Sequence, residues 1–85
     1  MSYAVILPRS VQNQLAKLDT VVARRIEDAL LQLENDPRPV GAKKLKGRDG
    51  WRIRVSDYRA IYEIHDQILQ IILIQIGHRR DVYRD

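Results

Sequence analysis

A single stretch decides the fold: Trp51–Arg59, with the sequence WRIRVSDYR. Its apolar side chains fall at every second position from Trp51 to Val55, which is the pattern of a β-strand with one buried face. Arg52 and Arg54 occupy the alternate positions and therefore point to the opposite face. The strand is predicted to carry two guanidinium groups on a surface away from the core.

This strand is followed by a turn signal, Ser56-Asp57, and by a second extended pattern that starts at Arg59. Side chains on one face of an antiparallel pair are neighbours, so we expect Arg59 to lie within reach of Arg52 and Arg54. Arginines that alternate with apolar residues are also typical of a plain solvated strand. The convergence of three guanidinium groups favours phosphate binding over that simpler interpretation.

Positive charge is concentrated in the same part of the chain. The formal net charge is +4, and the segment from Arg38 to Arg59 holds eight basic and two acidic residues, a net of +6. Each flanking segment sums to −1. A local excess of this kind favours nucleic acid as the partner over a membrane surface. The basic residues are Arg38, Lys43, Lys44, Lys46, Arg48, Arg52, Arg54 and Arg59.

The remaining pattern predicts an α+β fold with the element order β-α-α-β-β-β. An apolar stretch at residues 3–7 ends at Pro8, and two amphipathic helices follow, with the prolines of residues 35–39 ending the second. Residues 59–64 and 68–76 form a hairpin, and the last strand should be central because it is apolar on both faces. We expect an antiparallel four-stranded sheet with an antiparallel helix pair on one face. Residues 42–46 are a further candidate for extended structure.

A sheet covered on one side only leaves apolar residues on the other side. Ile61 and one face of the last strand are expected there, which predicts a partly apolar groove lined by arginines. Such a groove suits an RNA strand or an amphipathic peptide of a protein partner.

The composition also excludes several classes of protein. The chain has 85 residues, which is enough for one small domain, and no cysteine, so thiol chemistry and disulfides are excluded. Its two isolated histidines lack the spacing of metal ligands, so no metal and no other cofactor is expected. The first residues do not resemble a secretory signal and no apolar run is long enough to span a bilayer, which predicts a cytoplasmic protein without a membrane partner.

A second group of polar residues follows the last strand, Gly77-His78-Arg79-Arg80-Asp81-Val82-Tyr83. Cations, a phenol and an imidazole together fit phosphodiester cleavage by the 2′-hydroxyl of RNA. That reaction needs a base at the attacking oxygen, positive charge on the phosphorane and a proton for the departing 5′-oxygen.

Four segments carry a resemblance to a known family: residues 44–47 (KLKG), 51–55 (WRIRV), 57–62 (DYRAIY) and 77–83 (GHRRDVY). With them the chain resembles the RelE/ParE superfamily of bacterial and archaeal toxins, and more closely its RelE-like ribonuclease branch. The resemblance implies one RelE-like toxin domain over residues 1–85. It further implies a type II toxin that cleaves mRNA in the ribosomal A site and is neutralised by a cognate antitoxin.

The same resemblance suggests roles for individual residues. Arg59 and Arg79 look like the phosphate and transition-state arginines, and Tyr83 like the tyrosine that orients or helps to deprotonate the attacking hydroxyl. Arg52 and Arg54 stand where RelE-like toxins often have lysines, and arginine supplies charge well but releases a proton poorly. His78 is therefore the candidate for proton transfer, or else an idle exposed residue. Contacts with RNA or the ribosome are expected from Lys43, Lys44, Lys46, Arg48 and Arg80.

Two other functions remain open at this point. A ParE-like protein of the same fold would inhibit DNA gyrase by binding and would cut no RNA. A non-catalytic RNA- or ribosome-binding domain would use the same cations to hold phosphate without reacting, and the absence of an obvious general acid is compatible with it.

Overall fold

The computed structural model describes residues 2–78, which form two α-helices, a short 3-10 helix and one five-stranded sheet. The elements in chain order are β1 (Ala4–Ile6), α1 (Arg9–Ala16), α2 (Thr20–Gln32), β2 (Lys43–Lys44), β3 (Trp51–Val55), β4 (Tyr58–His65), the 3-10 helix (Asp66–Ile68) and β5 (Gln70–His78). The strands lie side by side in the order β1-β5-β4-β3-β2. The predicted α+β class is confirmed, and β5 lies inside the sheet as its two apolar faces indicated.

Two features of the sheet differ from the prediction of four antiparallel strands. β1 pairs with β5 in parallel, with Val5 opposite Ile71. The long connection between these strands permits either direction, and alternation within a strand does not specify the direction of its partner. β2 adds a fifth strand at the other edge, and both of its lysines are exposed. A strand without a buried residue has no apolar pattern by which to be recognised.

The first helix begins where the sequence predicted, directly after Pro8. Pro8 precedes α1 and its carbonyl oxygen accepts hydrogen bonds from the amides of Val11 and Gln12. Asp19 caps α2, since its carboxylate accepts a hydrogen bond of 3.1 Å from the amide of Val21. Neither helix, nor any other in residues 2–78, is long and apolar enough to cross a membrane.

One apolar core lies between the helices and the sheet. α1 packs mainly against β5, and α2 contacts β3. The predicted helical stripes supply five of the buried residues, and β3, β4 and β5 supply the remainder. Its buried members are Val11, Leu15, Ile26, Leu30, Leu33, Ile53, Ala60, Tyr62, Ile71, Leu73 and Ile76. The opposite face of the sheet is not covered by a helix, which leaves it as the place for a binding surface.

Tyr62 is a completely buried core residue that also fixes a loop. Its hydroxyl donates a hydrogen bond of 2.8 Å to the carbonyl oxygen of Pro37, and burial raises the pKa of its phenol to about 12. Because the folded pKa lies above the ordinary value of 10.0, the unfolded chain ionises first as the pH rises. The contribution of Tyr62 to stability is therefore complete below pH 10.0 and is lost as the pH rises to about 12.

We expect Tyr62→Phe to remove this alkaline loss. The variant should be less stable than the wild type at neutral pH by about 1 kcal/mol, because it lacks the hydrogen bond to Pro37. The difference should shrink as the pH is raised through the range in which the tyrosine titrates. Urea unfolding midpoints of both proteins at stepped alkaline pH measure it, and parallel curves for the two proteins would contradict the assignment.

Candidate nucleic-acid interface

The sheet face away from the helices carries the arginines that the sequence singled out. In the β3–β4 ladder Arg54 lies opposite Arg59 and Arg52 lies opposite Ile61, whereas the residues between them, Ile53 and Ala60, belong to the core. Directly paired residues point to the same side of a sheet, so Arg52, Arg54 and Arg59 share one surface. We call this surface the arginine face.

Arg54 and Arg59 form a like-charged pair at directly opposed positions. Opposed residues of an antiparallel pair have their Cβ atoms about 5 Å apart, and like charges placed so destabilise the sheet. Arg54 is exposed and Arg59 is half-buried, with its Nε atom inside the protein. On its other side Arg59 is paired with Gly77 of β5, which has no side chain. An anion bound between the two guanidinium groups would relieve their repulsion.

Arg52 differs from the other two because it is buried, with 5% of its surface exposed. It lies between Ile61 of β4 and Lys43 of β2 in the ladder. A guanidinium removed from water has to be hydrogen-bonded or paired inside the protein. The expectation that Arg52 is a solvent-facing member of the cluster is therefore wrong, although its face is as predicted.

A loop beside the arginine face carries the predicted lysines. We call residues 43–48 the basic loop. Lys43 pairs with Arg52 and so is placed on the arginine face, whereas Lys44 pairs with Trp51 and is placed on the helix side. Lys44 Nζ donates a hydrogen bond of 2.9 Å to the carbonyl oxygen of Arg48. Lys46 and Arg48 are exposed in the turn, so the loop presents charge on both sides of the sheet edge.

Part of the predicted apolar groove on this face is filled, at Ile61. Ile61 is only 1% exposed because Leu45 of the basic loop packs on it, and Leu45 itself is 2% exposed. A groove of about 960 Å³ does exist, but it lies on the helix side and is lined by both helices and β1. Its polar rim includes Glu27, Asp28 and Glu34. It contains no residue of the arginine face.

The structure places His78 on the helix side, away from the arginine face. It pairs with Tyr58 across β4 and β5, and the two rings meet edge to face with centroids 5.5 Å apart. The cause is a bulge in β5, where Ile74 is an extra residue between the partners of Ile61 and Tyr62. A bulge of one residue moves every later side chain of the strand to the other face.

Another imidazole, that of His65, does lie on the arginine face. It is the last residue of β4 rather than part of the turn, and its Nε2 atom is 3.1 Å from Glu63 Oε1. His65 lies six positions along β4 from Arg59, a distance of about 20 Å, so the two cannot act on the same phosphate. If β4 is taken to run without a break from Arg59 to His65, every second side chain shares the face of Arg59, and His65 is one of them. This pattern could have predicted the position of His65.

Arg38 belongs to a separate surface cluster. Its guanidinium lies 2.9 Å from Asp66 Oδ2 and 5.3 Å from the ring centroid of Trp51. The hydrogen bond from Arg38 holds the pKa of Asp66 below its ordinary value, and Tyr3, which donates to the same carboxylate, has a raised pKa. Because Trp51 packs on the core side, Arg38 fixes the loop before β2 and does not extend the arginine face.

Three predicted site residues, Arg79, Arg80 and Tyr83, lie outside the described residues. Within residues 2–78 no group of three or more histidine or acidic side chains is arranged to hold a metal ion. The arrangement that the structure does provide is cationic: Arg54 and Arg59 on the sheet, Lys43 on the same face opposite Arg52, and the exposed turn of the basic loop. Such a surface can bind and stabilise negative charge.

Comparison with known proteins identifies relatives over the whole chain. The model of the family described as ParE toxin of type II toxin-antitoxin system, parDE, matches residues 5–83. Toxin RelG of Mycobacterium tuberculosis is 29% identical over 86 residues, which cover 99% of this chain and 99% of RelG. The mRNA interferase toxin RelE of Escherichia coli K12 is 27% identical over 90 residues, which cover 100% of this chain and 94% of RelE.

Solved structures show the same fold. A chain in the crystal structure of the archaeal RelE-RelB complex from Pyrococcus horikoshii OT3 superposes with a TM-score of 0.85 at 28% identity, covering 96% of this chain and 100% of that chain. A chain of the toxin-antitoxin complex RelBE2 from Mycobacterium tuberculosis superposes with a TM-score of 0.82 at 21% identity, covering 93% and 100% respectively. The predicted RelE-like fold is thereby confirmed.

Proposed function

Because this chain belongs to the ParE toxin family of type II toxin-antitoxin systems, we propose that it is the toxin that cleaves mRNA in the ribosomal A site and so inhibits translation. Support for the nuclease activity comes from the RelE relative, which is named an mRNA interferase and aligns with 100% of this chain. Type II toxins are paired with antitoxin proteins, and the structural relatives include complexes of RelE with RelB. The proposed partners are therefore a cognate antitoxin, and mRNA on the ribosome in the cytoplasm.

The observation that carries this proposal is the opposition of Arg54 and Arg59 on a face that no helix covers. Two guanidinium groups at directly paired positions repel each other, and this repulsion destabilises the sheet. A phosphodiester that becomes a dianionic phosphorane in the transition state gains from both. The pair therefore stabilises the transition state more than the ground state, which is the condition for catalysis.

The proposed reaction uses the RNA's own 2′-hydroxyl as nucleophile. The 2′-hydroxyl gives its proton to water as its oxygen forms a bond to phosphorus, the bond from phosphorus to the 5′-oxygen breaks, and the 5′-oxygen takes a proton from water, so the products are a 2′,3′-cyclic phosphate and a 5′-hydroxyl. Arg54, Arg59 and Arg79 supply positive charge to the phosphorane, and Tyr83 orients the nucleophile. The buried guanidinium of Arg52 adds positive charge below the arginine face. The position of His78 on the helix side does not favour it as the proton donor, because its ring packs against Tyr58.

A translating extract tests the proposal directly. Adding the purified protein should produce new mRNA 5′ ends at A-site codons, mapped by primer extension, because the activity requires mRNA held on the ribosome. The same mRNA without ribosomes serves as the control and should stay intact or be cut far more slowly. Intact mRNA on the ribosome, with a correctly folded protein, would refute the nuclease function.

One observation favours a second candidate. The matching family model is named for ParE, and a ParE-like activity would be inhibition of DNA gyrase by binding. A supercoiling assay with purified gyrase distinguishes the two functions. Inhibition of supercoiling together with intact mRNA would assign the second candidate. A protein that cuts no mRNA and spares gyrase but binds ribosomes would be a non-catalytic binding domain.

A further inference from the structure

Leu45 is buried on the side of the sheet that has no helix. It packs on Ile61, and these two residues form a cluster separate from the main core. Leu45 is 2% exposed although its neighbours Lys44 and Lys46 are both exposed. A single apolar side chain in a charged loop has thus been inserted next to the arginine face.

Several contacts hold the basic loop in the conformation that buries Leu45. The amide of Leu45 donates a hydrogen bond of 2.9 Å to the carbonyl oxygen of Gly50, and Lys44 Nζ donates one of 2.9 Å to that of Arg48. Gly50 lies so close that a Cβ atom added to it would be 3.2 Å from Leu45 Cδ1. The turn between these residues contains Gly47 with a φ of 70°. The basic loop is therefore folded tightly around Leu45, which anchors it to the sheet.

The anchor determines where the charges of the loop lie. Ile61, which Leu45 covers, is paired directly with Arg52, and Arg52 is paired with Lys43. Seating Leu45 on Ile61 thus fixes Lys43 opposite Arg52, which lies two residues along β3 from Arg54 and on the same face. Without an anchor, binding an anionic strand would require the loop to be ordered at the moment of binding, which lowers affinity.

We propose that Leu45 is a positioning residue that holds the basic loop against the arginine face, so that both bind one RNA strand. Through Lys43, Lys46 and Arg48, the loop binds phosphates of the RNA that flank the scissile phosphate. This inference rests on the proposed nuclease function, because it assigns the loop to the same RNA. The loop then contributes to the affinity for RNA, whereas the pair of Arg54 and Arg59 contributes to the rate of cleavage.

The first experiment measures binding without cleavage. A fluorescent oligoribonucleotide with methylated 2′-hydroxyls has no nucleophile and cannot be cut. Its Kd for Leu45→Ala should be about 10-fold higher than for the wild type at low salt. The slope of log Kd against log salt should also become shallower, by about 0.7 for each loop cation that no longer contacts a phosphate. Leu31→Ala, which truncates an exposed leucine on α2, is the matched control and should bind as the wild type does.

Three further tests exclude a merely structural effect. In single-turnover cleavage of mRNA on ribosomes, Leu45→Ala should raise the half-saturating protein concentration and leave the maximal rate within about twofold, since uniform binding is what it loses. Leu45→Met, which conserves volume, should restore affinity. Trypsin, which cuts after Lys and Arg, should cut residues 43–48 faster in Leu45→Ala than in the wild type.

The outcomes decide the proposal separately from the nuclease function. Faster tryptic cutting of the loop with unchanged Kd would overturn it, because loop order would then be irrelevant to RNA. So would a parallel loss of melting temperature, affinity and maximal rate that Leu45→Met does not restore. If the wild type leaves mRNA intact but Leu45→Ala still weakens binding of the methylated strand, the positioning role stands and only the nuclease function fails.

Discussion

Arg59→Ala is expected to lower the rate of mRNA cleavage on the ribosome by about 100- to 1,000-fold, the usual loss when one donor to a developing oxyanion is removed. Arg59 lies at the centre of the arginine face, between Arg54 on β3 and Gly77 on β5. Its half-buried position and buried Nε atom hold the guanidinium in a fixed place, which a flexible surface arginine would lack. Preorganisation of this kind is what makes a charge effective in a transition state.

Two matched variants and one control variant sharpen the test. Arg54→Ala removes one charge from the same face at an exposed position, and it should cost less in rate than Arg59→Ala. Arg59→Lys keeps the charge and loses the planar fork, so its rate should fall between those of the wild type and Arg59→Ala. Arg9→Ala, an exposed arginine at the start of α1, should have no effect. Single-turnover rates on ribosomes and thermal unfolding by circular dichroism measure all four.

The fold should survive Arg59→Ala because two effects oppose each other. Truncation removes the packing of the aliphatic stem, while it also relieves the repulsion from Arg54 across the ladder. We expect a net change within about 1 kcal/mol. A folded variant that cuts mRNA at the wild-type rate would remove Arg59 from the proposed site and with it the opposed pair as the basis of function.

Alternation along β3 and β4 was sufficient to predict which residues share a face. Trp51, Ile53 and Val55 pack on the core side, and Arg54 and Arg59 lie on the other. This information is local, because side chains on adjacent positions of a strand point in opposite directions whatever the partner. Another local pattern, apolar residues three and four positions apart, gave the helical stripes.

What the sequence did not reveal depends on contacts between distant segments. Ile61 is buried because the basic loop folds back over the sheet and places Leu45 on it, and Arg52 is buried beside Ile61. The spacing of apolar residues in the sequence does not predict such a fold of the loop. The position of His78 depends on the bulge at Ile74, which reverses the alternation of β5. In a strand without the bulge, Ile71 and Leu73 would face the core and His78 would face the opposite side, together with the arginines. The parallel direction of β1 likewise follows from the path of the whole chain.

Arg52 is buried, so we expect it mainly to stabilise the fold, although the sequence motif predicts it as a site residue. Its replacement should therefore mainly affect stability. Arg52→Ala is expected to lower the free energy of unfolding by about 2 to 4 kcal/mol, because it leaves a cavity and removes the polar contacts that a buried guanidinium makes. For a domain of this size the melting temperature should fall by at least about 8 °C. Arg54→Ala, one alternation further along the strand but exposed, should change stability by less than about 0.5 kcal/mol.

Urea unfolding of both variants measures this contrast, and Arg52→Met identifies its cause. Methionine keeps much of the aliphatic volume and lacks the guanidinium. If the variant recovers most of the stability lost in Arg52→Ala, the side chain acts by packing on Ile61 and the neighbouring loop; if it is as unstable as alanine, the polar contacts of the guanidinium dominate. Equal unfolding midpoints for Arg52→Ala and the wild type would mean that Arg52 does not stabilise the fold. If Arg52→Ala then also lost cleavage activity, that loss would be attributed to the charge of Arg52, as for Arg59.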